Sequence, residues 1–419
     1  MPTSKDFIEM DLDYGAHNYH PIPVVISKAK GVWVYDPEGK KYLDCLSAYS
    51  SQNTGHCHPE IIKALKEQAE VVTLTSRAFH NDMMGPYLKK LCEIVGPHIN
   101  DPDNSGIMAL PMNTGTEAVS TGLKVTRAWG YIKKKIPKNK AHILVCNNNF
   151  HGRTITIAGF SSDISAVRYY GNFGPYTPGF TIIPYGDPEK LENNIIEKGP
   201  ENIAGFLFEP IQGEAGVRVP PEGYLRATRE ICTKYNILMI ADEIQTGLGR
   251  TGALFACDHE NVKPDMLLLG KALGGGVYPV SAVVSNKEII GPDVIKKGTH
   301  GSTFGGNPLA CAVASKSLDV HINEKLPERA KELGKYFMNG LHQIAKKNTK
   351  IPVKEVRGKG LLTAIEFKED ARKIVEELKD NGILAKDTHS TTIRFAPPLV
   401  ITKEEIDWAL SIIEKVIVV

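Results

Sequence analysis

The sequence predicts an α/β protein, with a large domain on a mostly parallel central sheet and a smaller α+β domain after it. Three observations carry this expectation. The chain has 419 residues, more than one simple core accommodates. Its middle alternates short, continuously apolar runs with helical stretches, as strands buried on both faces and joined by crossover helices do. After about residue 310 that alternation gives way to a long amphipathic stretch followed by paired strands.

Taken in order, the first fifty residues contain strand-like pieces in "PVVISKAKGVWVYDPEG" but no core of their own. Residues 1–50 are therefore expected to join the small domain, with 51–310 forming the large domain and 311–419 the small one. In the large domain, "SGIMALPMN" precedes the helix-like "TEAVSTGLKVTRAWGYIKKK". The runs "AHILVCNNN", "IAGFLFEP", "YNILMIADE", "PDMLLLGK" and "PVSAVVSN" follow, with the helical "PEGYLRATREICTKYN" among them. In the small domain, residues 327–348 read as a helix and "VKEVRGKGLLTAIEF" as paired strands. "KEDARKIVEELKDNG" reads as a second helix and "TTIRFAPPLV" as a strand. Thr402 and Glu405 have capping-box spacing ahead of a final helix.

The formal charge is +2, with 50 basic and 48 acidic residues, which argues against a nucleic-acid scaffold or an electrostatic membrane binder. The basic run Lys133, Lys134 and Lys135 reads as the solvated end of a helix, where cations complement the dipole. Seven scattered cysteines without a CxxC pair suggest neither a disulfide framework nor a zinc knuckle, and fit a reducing compartment. No apolar run reaches the ~18 residues that span a bilayer. The acidic start lacks signal or transit character and tips the expectation to the cytoplasm; a mitochondrial matrix location would imply a removed presequence.

Ligands of open α/β sheets collect beyond the carboxyl ends of the strands. Four polar features fall there. Glu209 follows "AGFLF", Asp242 follows "ILMIA", Lys271 follows "MLLLG", and "NTGTEA" (113–118) joins a strand to a helix. That turn reads equally as an N-cap by Asn113 or Thr114 and as a phosphate cradle at Gly115. Asp242 suits either a cap or the protonated nitrogen of a heteroaromatic ring. Lys271 has a poor structural explanation, because a desolvated amine at the mouth of a glycine loop is a nucleophile towards carbonyls. Cradle, aspartate and lysine together are the parts that hold pyridoxal phosphate (PLP). Two further motifs are read otherwise. "GLGRTG" (247–252) matches a dinucleotide fingerprint and would favour an NAD-dependent dehydrogenase, but "DEIQT" separates it from its strand and a poor helix follows. "GHCHP" (55–59) reads as a structural turn, with Pro59 opening a helix, and no metal site is expected.

"LLLGKALGGG", "ADEIQTGLGRTG", "FEPIQGEAG", "PMNTGTEA" and "HGSTFGGNPLA", in that company, resemble the class III PLP-dependent aminotransferases of fold type I. The likeness runs from about residue 14 to the C-terminus. It implies that Lys271 carries PLP and shuttles a proton, that Asp242 pairs with the pyridine nitrogen, and that Gln245 contacts the phenolic oxygen. Gly115 and Thr116 would bind the phosphate with help from Thr303 of the partner subunit, Phe150 would stack on the ring, and Glu209 would belong to the same cofactor site. The residue after Phe150 varies among relatives, so His151 is given no role. Within the family, "YGAHNYHPIPVV", "LSAYSSQNTGHCHP", "LTSRAFHND" and "IRFAPPLVI" are similar to the branch acting on the δ-amino group of L-ornithine. Arg153 would then grip the α-carboxylate, Tyr19 the α-amino group, and Tyr49 would shape the pocket. Arg394 would bind the extra carboxylate of 2-oxoglutarate and Glu214 would cover it during the ornithine half-reaction. The resemblance also implies a homodimer with a shared site. The alternatives are another ω-amino donor of the same class, such as acetylornithine or 4-aminobutyrate, and a degenerate scaffold that only binds.

Overall fold

The computed structural model describes residues 2–162 and 171–419. The N-terminal segment forms a small antiparallel meander of Lys28–Lys30 (β1), Trp33–Tyr35 (β2) and Lys41–Asp44 (β3). The large sheet then takes Ile107–Met112 (β4), His142–Cys146 (β5), Phe180–Ile183 (β6), Ile203–Phe208 (β7), Leu238–Asp242 (β8), Met266–Leu269 (β9) and Ser281–Asn286 (β10). Their order is β4-β10-β9-β8-β7-β5-β6, and β10 alone runs against the rest. Every run quoted above for this domain is a strand. The seventh, β6, follows the Pro- and Gly-rich "GPYTPG" and is too short and too weakly apolar to announce itself.

Along each central strand, successive side chains enter opposite cores. Leu144, Phe206, Met239, Leu267 and Ala282 pack on one face, and Ile143, Leu207, Ile240, Leu268 and Val283 on the other. That double burial is why these strands read as unbroken apolar runs rather than alternating ones.

The C-terminal sheet runs in the order β11 (Val353–Lys359), β12 (Leu362–Phe367), β15 (Thr392–Phe395), β14 (Lys386–Thr388), antiparallel throughout. Between β12 and β14 lie the helix Arg372–Asp380 and Ile383–Leu384 (β13), which pairs in parallel with β3 of the N-terminal meander. The helix Leu326–Ala345 starts one residue before the expected span and ends three before its close, and the last helix, Lys403–Ile417, opens with the expected Thr402–Glu405 capping box. Pro308–Asn323 is apolar on two sides. Ala310, Cys311, Ala314 and Leu318 enter the core of the large sheet, while Val313 and Val320 enter the core that the C-terminal helices share.

One expectation is corrected. The basic run does follow a helix, Gly115–Ile132, but Lys134 is not a solvated end. Its amine donates to the carbonyls of Ile203 at 2.8 Å and Tyr235 at 3.0 Å. Burial pushes its pKa down to about 8. The carbonyls come from the start of β7 and the end of a distant helix, which sequence spacing does not reveal.

Candidate active site

Strand register brings the expected residues together. Phe208 pairs with Ala241 and Asp242 with Leu268, so Glu209 emerges beside Asp242 and Lys271 lies three residues beyond the Asp242 partner. Lys271 has φ 44°, left-handed for a side-chain-bearing residue, immediately after the extended Gly270. Its amine has no hydrogen-bond acceptor among the described residues. Burial, opposed by Glu214 and reinforced by Arg394, holds its pKa below the ordinary lysine value.

Asp242 is almost fully buried, and its Oδ2 lies 2.6 Å from Nδ1 of His151, whose side chain has no exposed surface. Oδ1 accepts from the Ile244 N–H at 3.1 Å. Burial opposes charge on His151, but the Asp242 hydrogen bond and the nearby carboxylates outweigh it and raise the imidazole pKa. His151 is thus the residue that sequence reading missed. A histidine one position from an aromatic carried no periodic signal, and only the fold sets it against a strand 91 residues away. Glu209 accepts the Phe150 N–H at 2.9 Å. Burial, eased by His151, lifts its carboxyl to about 7.

The turn before the long helix is both of the things its sequence allowed. Thr114 is an N-cap with a complete capping box to Glu117, while the N–H groups of Gly115 and Thr116 find no acceptor among the described residues. Close approach explains the glycines. A Cβ on Gly152, at φ +117°, would lie 2.1 Å from Thr116 Oγ1, and one on Gly213 would lie 1.3 Å from Gln245 Oε1. That Gln245 oxygen is buried without a partner, while its Nε2 donates to Glu214 at 3.1 Å.

At the other end, Arg394 on β15 donates to Glu214 Oε1 at 2.9 Å and is 2 % exposed. Burial would raise the Glu214 carboxyl, but Arg394, Lys271 and its hydrogen bonds hold it at about 2. Tyr49 covers the same guanidinium, with Arg394 Cζ 5.1 Å from its ring centre. It sits in one turn of left-handed helix: φ is 52° at Ser47, 46° at Ala48, 59° at Tyr49 and 70° at Ser50. None is glycine, and such a conformation costs roughly 1–2 kcal/mol per residue. Arg153 and Tyr19 meet nearer solvent, Arg153 Nη1 donating to the Tyr19 hydroxyl at 2.7 Å, with the guanidinium also 5.2 Å from the Phe150 ring centre.

Tyr19, Tyr49, Arg153 and Arg394 stand outside the wall of one cavity of about 180 Å³, which is lined by Gly115, Thr116, Phe150, His151, Glu209, Glu214, Asp242, Gln245 and Lys271, with Ile211 and Ile244 as apolar additions. Thr303 is not among them. It is exposed, in a separate shallow groove with Lys124 and His300. The two decoy motifs have other work. "GLGRTG" begins no helix, and its Arg250, fully buried, donates to Asn53 Oδ1, Leu361 O and Pro397 O. In "GHCHP", His56 pairs with Asp44 and His58 with Glu324, and Pro59 starts the helix Pro59–Ala69.

Residues 14–417 match the family model described as aminotransferase class-III. The chain belongs to the class III aminotransferase family. It is 55 % identical over 416 residues to an ornithine aminotransferase of Geobacillus sp. (strain WCH70), covering 99 % of each chain. It is 52 % identical over 417 residues to that of Bacillus subtilis, covering 100 % of this chain and 98 % of the relative. Among solved structures, the ornithine aminotransferase of Toxoplasma gondii superposes with a TM-score of 0.93 at 48 % identity, over 99 % of this chain and 95 % of that one. An acetylornithine aminotransferase from Elizabethkingia anophelis superposes with a TM-score of 0.88 at 49 % identity, over 100 % and 99 %.

The cofactor of this class III aminotransferase is PLP, and the cavity fits it. An amine without an acceptor, the side-chain amide of Gln245, the buried carboxylate of Asp242 and open N–H groups at a helix start meet the aldehyde, the phenolic oxygen, the pyridinium and the phosphate.

Proposed function

We propose that the chain transfers the δ-amino group of L-ornithine to 2-oxoglutarate, giving glutamate and glutamate-5-semialdehyde, which cyclises to pyrroline-5-carboxylate. The observation that carries this reading is Arg394, covered by both Glu214 and Tyr49, with Glu214 also part of the wall of the cavity that holds the Lys271 amine. An exposed arginine there would select α-amino acids with two carboxylates. A neutralised one admits a donor whose reacting carbon bears no carboxylate.

PLP supplies an electron sink for the pair left behind when a C–H proton is removed. The rest is the work of side chains. Lys271 carries the cofactor and, with its depressed pKa, takes the proton from the δ-carbon and returns it. Asp242, held in place by His151, would hold the proton on the pyridine nitrogen. Gln245 donates to the phenolic oxygen, and Gly115 and Thr116 hold the phosphate, completed by Thr303 of the partner subunit. Glu209 fixes Phe150 against the ring through its N–H. Arg153 takes the α-carboxylate in the bidentate manner open to a guanidinium, and Tyr19 takes the α-amino group. In the second half-reaction Arg394 leaves Glu214 for the 2-oxoglutarate carboxylate. We also read the molecule as a cytoplasmic homodimer, its chain divided at about residues 50 and 310; the Geobacillus and Bacillus subtilis relatives are bacterial, β3 pairs with β13, and no helix among the described residues is long and apolar enough to cross a membrane.

The test is the visible absorption spectrum of the purified protein before and after L-ornithine, without a keto acid. Loss of the lysine-bound band with gain of the amine-form band supports the reading, and Lys271→Ala should show neither. A yellow protein that ornithine leaves unchanged, but N-acetylornithine or 4-aminobutyrate bleaches, would move the substrate within the family.

A further inference from the structure

The left-handed turn Ser47–Ser50 is held from outside itself, and the groups that hold it also hold the strand bearing Arg394. Asp44 Oδ1 accepts the N–H groups of Leu46 at 2.9 Å and Ser47 at 2.8 Å, and its Oδ2 lies 2.8 Å from His56 Nε2. The Ser47 hydroxyl donates to the Ala396 carbonyl at 2.6 Å, and the Ala396 N–H donates to the Cys45 carbonyl at 2.6 Å. Ala396 is two residues from Arg394, so both of its backbone groups are tied to the segment that presents Tyr49. Ser47, Ser50, Ala396 and Arg394 are all buried, whereas Ala48 at the crest of the turn is exposed. A turn without glycine does not choose this conformation by itself.

We propose that Asp44, Ser47 and His56 are positioning residues for amino-donor choice: they force the left-handed turn that keeps Tyr49 over Arg394. The proposal rests on the ornithine reading of the site. Asp44 and Ser47 do not line the cavity; they act through Tyr49. When the Asp44 acceptor is weakened, the turn relaxes towards right-handed or extended backbone, Tyr49 leaves the guanidinium, and the pocket loses its preference for a donor carrying both an α-amino group and a distal amine.

The experiment measures kcat/KM for L-ornithine and for 4-aminobutyrate, which lacks the α-amino group, in cofactor-loaded wild type, Asp44→Asn, Ser47→Ala, Ala48→Gly and Asp44→Asn/Ala48→Gly. The ornithine to 4-aminobutyrate ratio is expected to fall on the order of tenfold in Asp44→Asn and Ser47→Ala, the loss of about one net hydrogen bond from the turn. Ala48→Gly should keep the wild-type ratio. In the double variant glycine, which adopts positive φ without strain, should recover most of the lost discrimination. A general loss of stability would lower both substrates together and leave the ratio alone. If Asp44→Asn does not fold, Ser47→Ala carries the same readout. An unchanged ratio in the folded variants, or no recovery with Ala48→Gly, overturns the proposal. A wild type that does not turn over ornithine at all instead sinks the parent reading.

Discussion

Glu214→Gln separates the two half-reactions most directly. The wild-type carboxyl is held at about 2 against an ordinary 4.5, after the cost of its burial, chiefly by Arg394 and then Lys271. At 1.36 kcal/mol per pK unit, that gap corresponds to about 3 kcal/mol of attraction favouring the charged carboxylate. Glutamine keeps the shape and one acceptor but not the charge. Arg394 is then released more readily to a substrate carboxylate, by up to about two decades for 3 kcal/mol. The retained amide hydrogen bond reduces this, so the expected change is roughly tenfold. The assay is rapid mixing of each cofactor-loaded protein with L-ornithine or L-glutamate alone, following the loss of the cofactor band. In Glu214→Gln the rate ratio of glutamate to ornithine should rise about tenfold, through faster glutamate and not only slower ornithine. A ratio within twofold of wild type would refute the gating role of Glu214, whatever happened to the absolute rates.

The same pair predicts a pH effect. A carboxyl with a folded pKa below its unfolded one stabilises the fold above about 4.5, and that contribution is lost as pH falls towards 2. The stability difference between wild type and Glu214→Gln, measured by urea unfolding, should therefore hold steady down to about pH 5 and shrink from there towards pH 3; a difference that grows on acidification contradicts it. Gly213→Ala puts a Cβ where Gln245 Oε1 now lies, 1.3 Å away, so Gln245 must swing out. PLP should dissociate about tenfold more readily by equilibrium dialysis, for the loss of one hydrogen bond, and adding Gln245→Ala should bring little further loss. Arg250→Met strands the buried acceptors of Asn53, Leu361 and Pro397. It should lower the free energy of unfolding by at least about 3 kcal/mol; a loss under 1 kcal/mol would show that water replaces the guanidinium.

What the sequence determined by itself was local. Continuous apolar runs ending in Glu209, Asp242 and Lys271 identify buried parallel strands with their chemistry at one edge, because strand burial and strand-end solvent access are written in neighbouring residues. The capping box at Thr402 and the turn at Gly115 are legible for the same reason. The large-sheet strand β6 was not, since four residues after a proline-rich loop carry too little pattern. Other features depended on contacts between distant segments, and tertiary structure decided those. His151 becomes the partner of Asp242 only when β8 is packed beside its loop. Lys134 turns inward because carbonyls from Ile203 and Tyr235 are there to receive it. Nothing in "SAYS" announces a left-handed turn, because the serines, the alanine and the tyrosine would each choose otherwise. Asp44, His56 and Ala396 impose it from three separate stretches of chain, and so bring Tyr49 over Arg394.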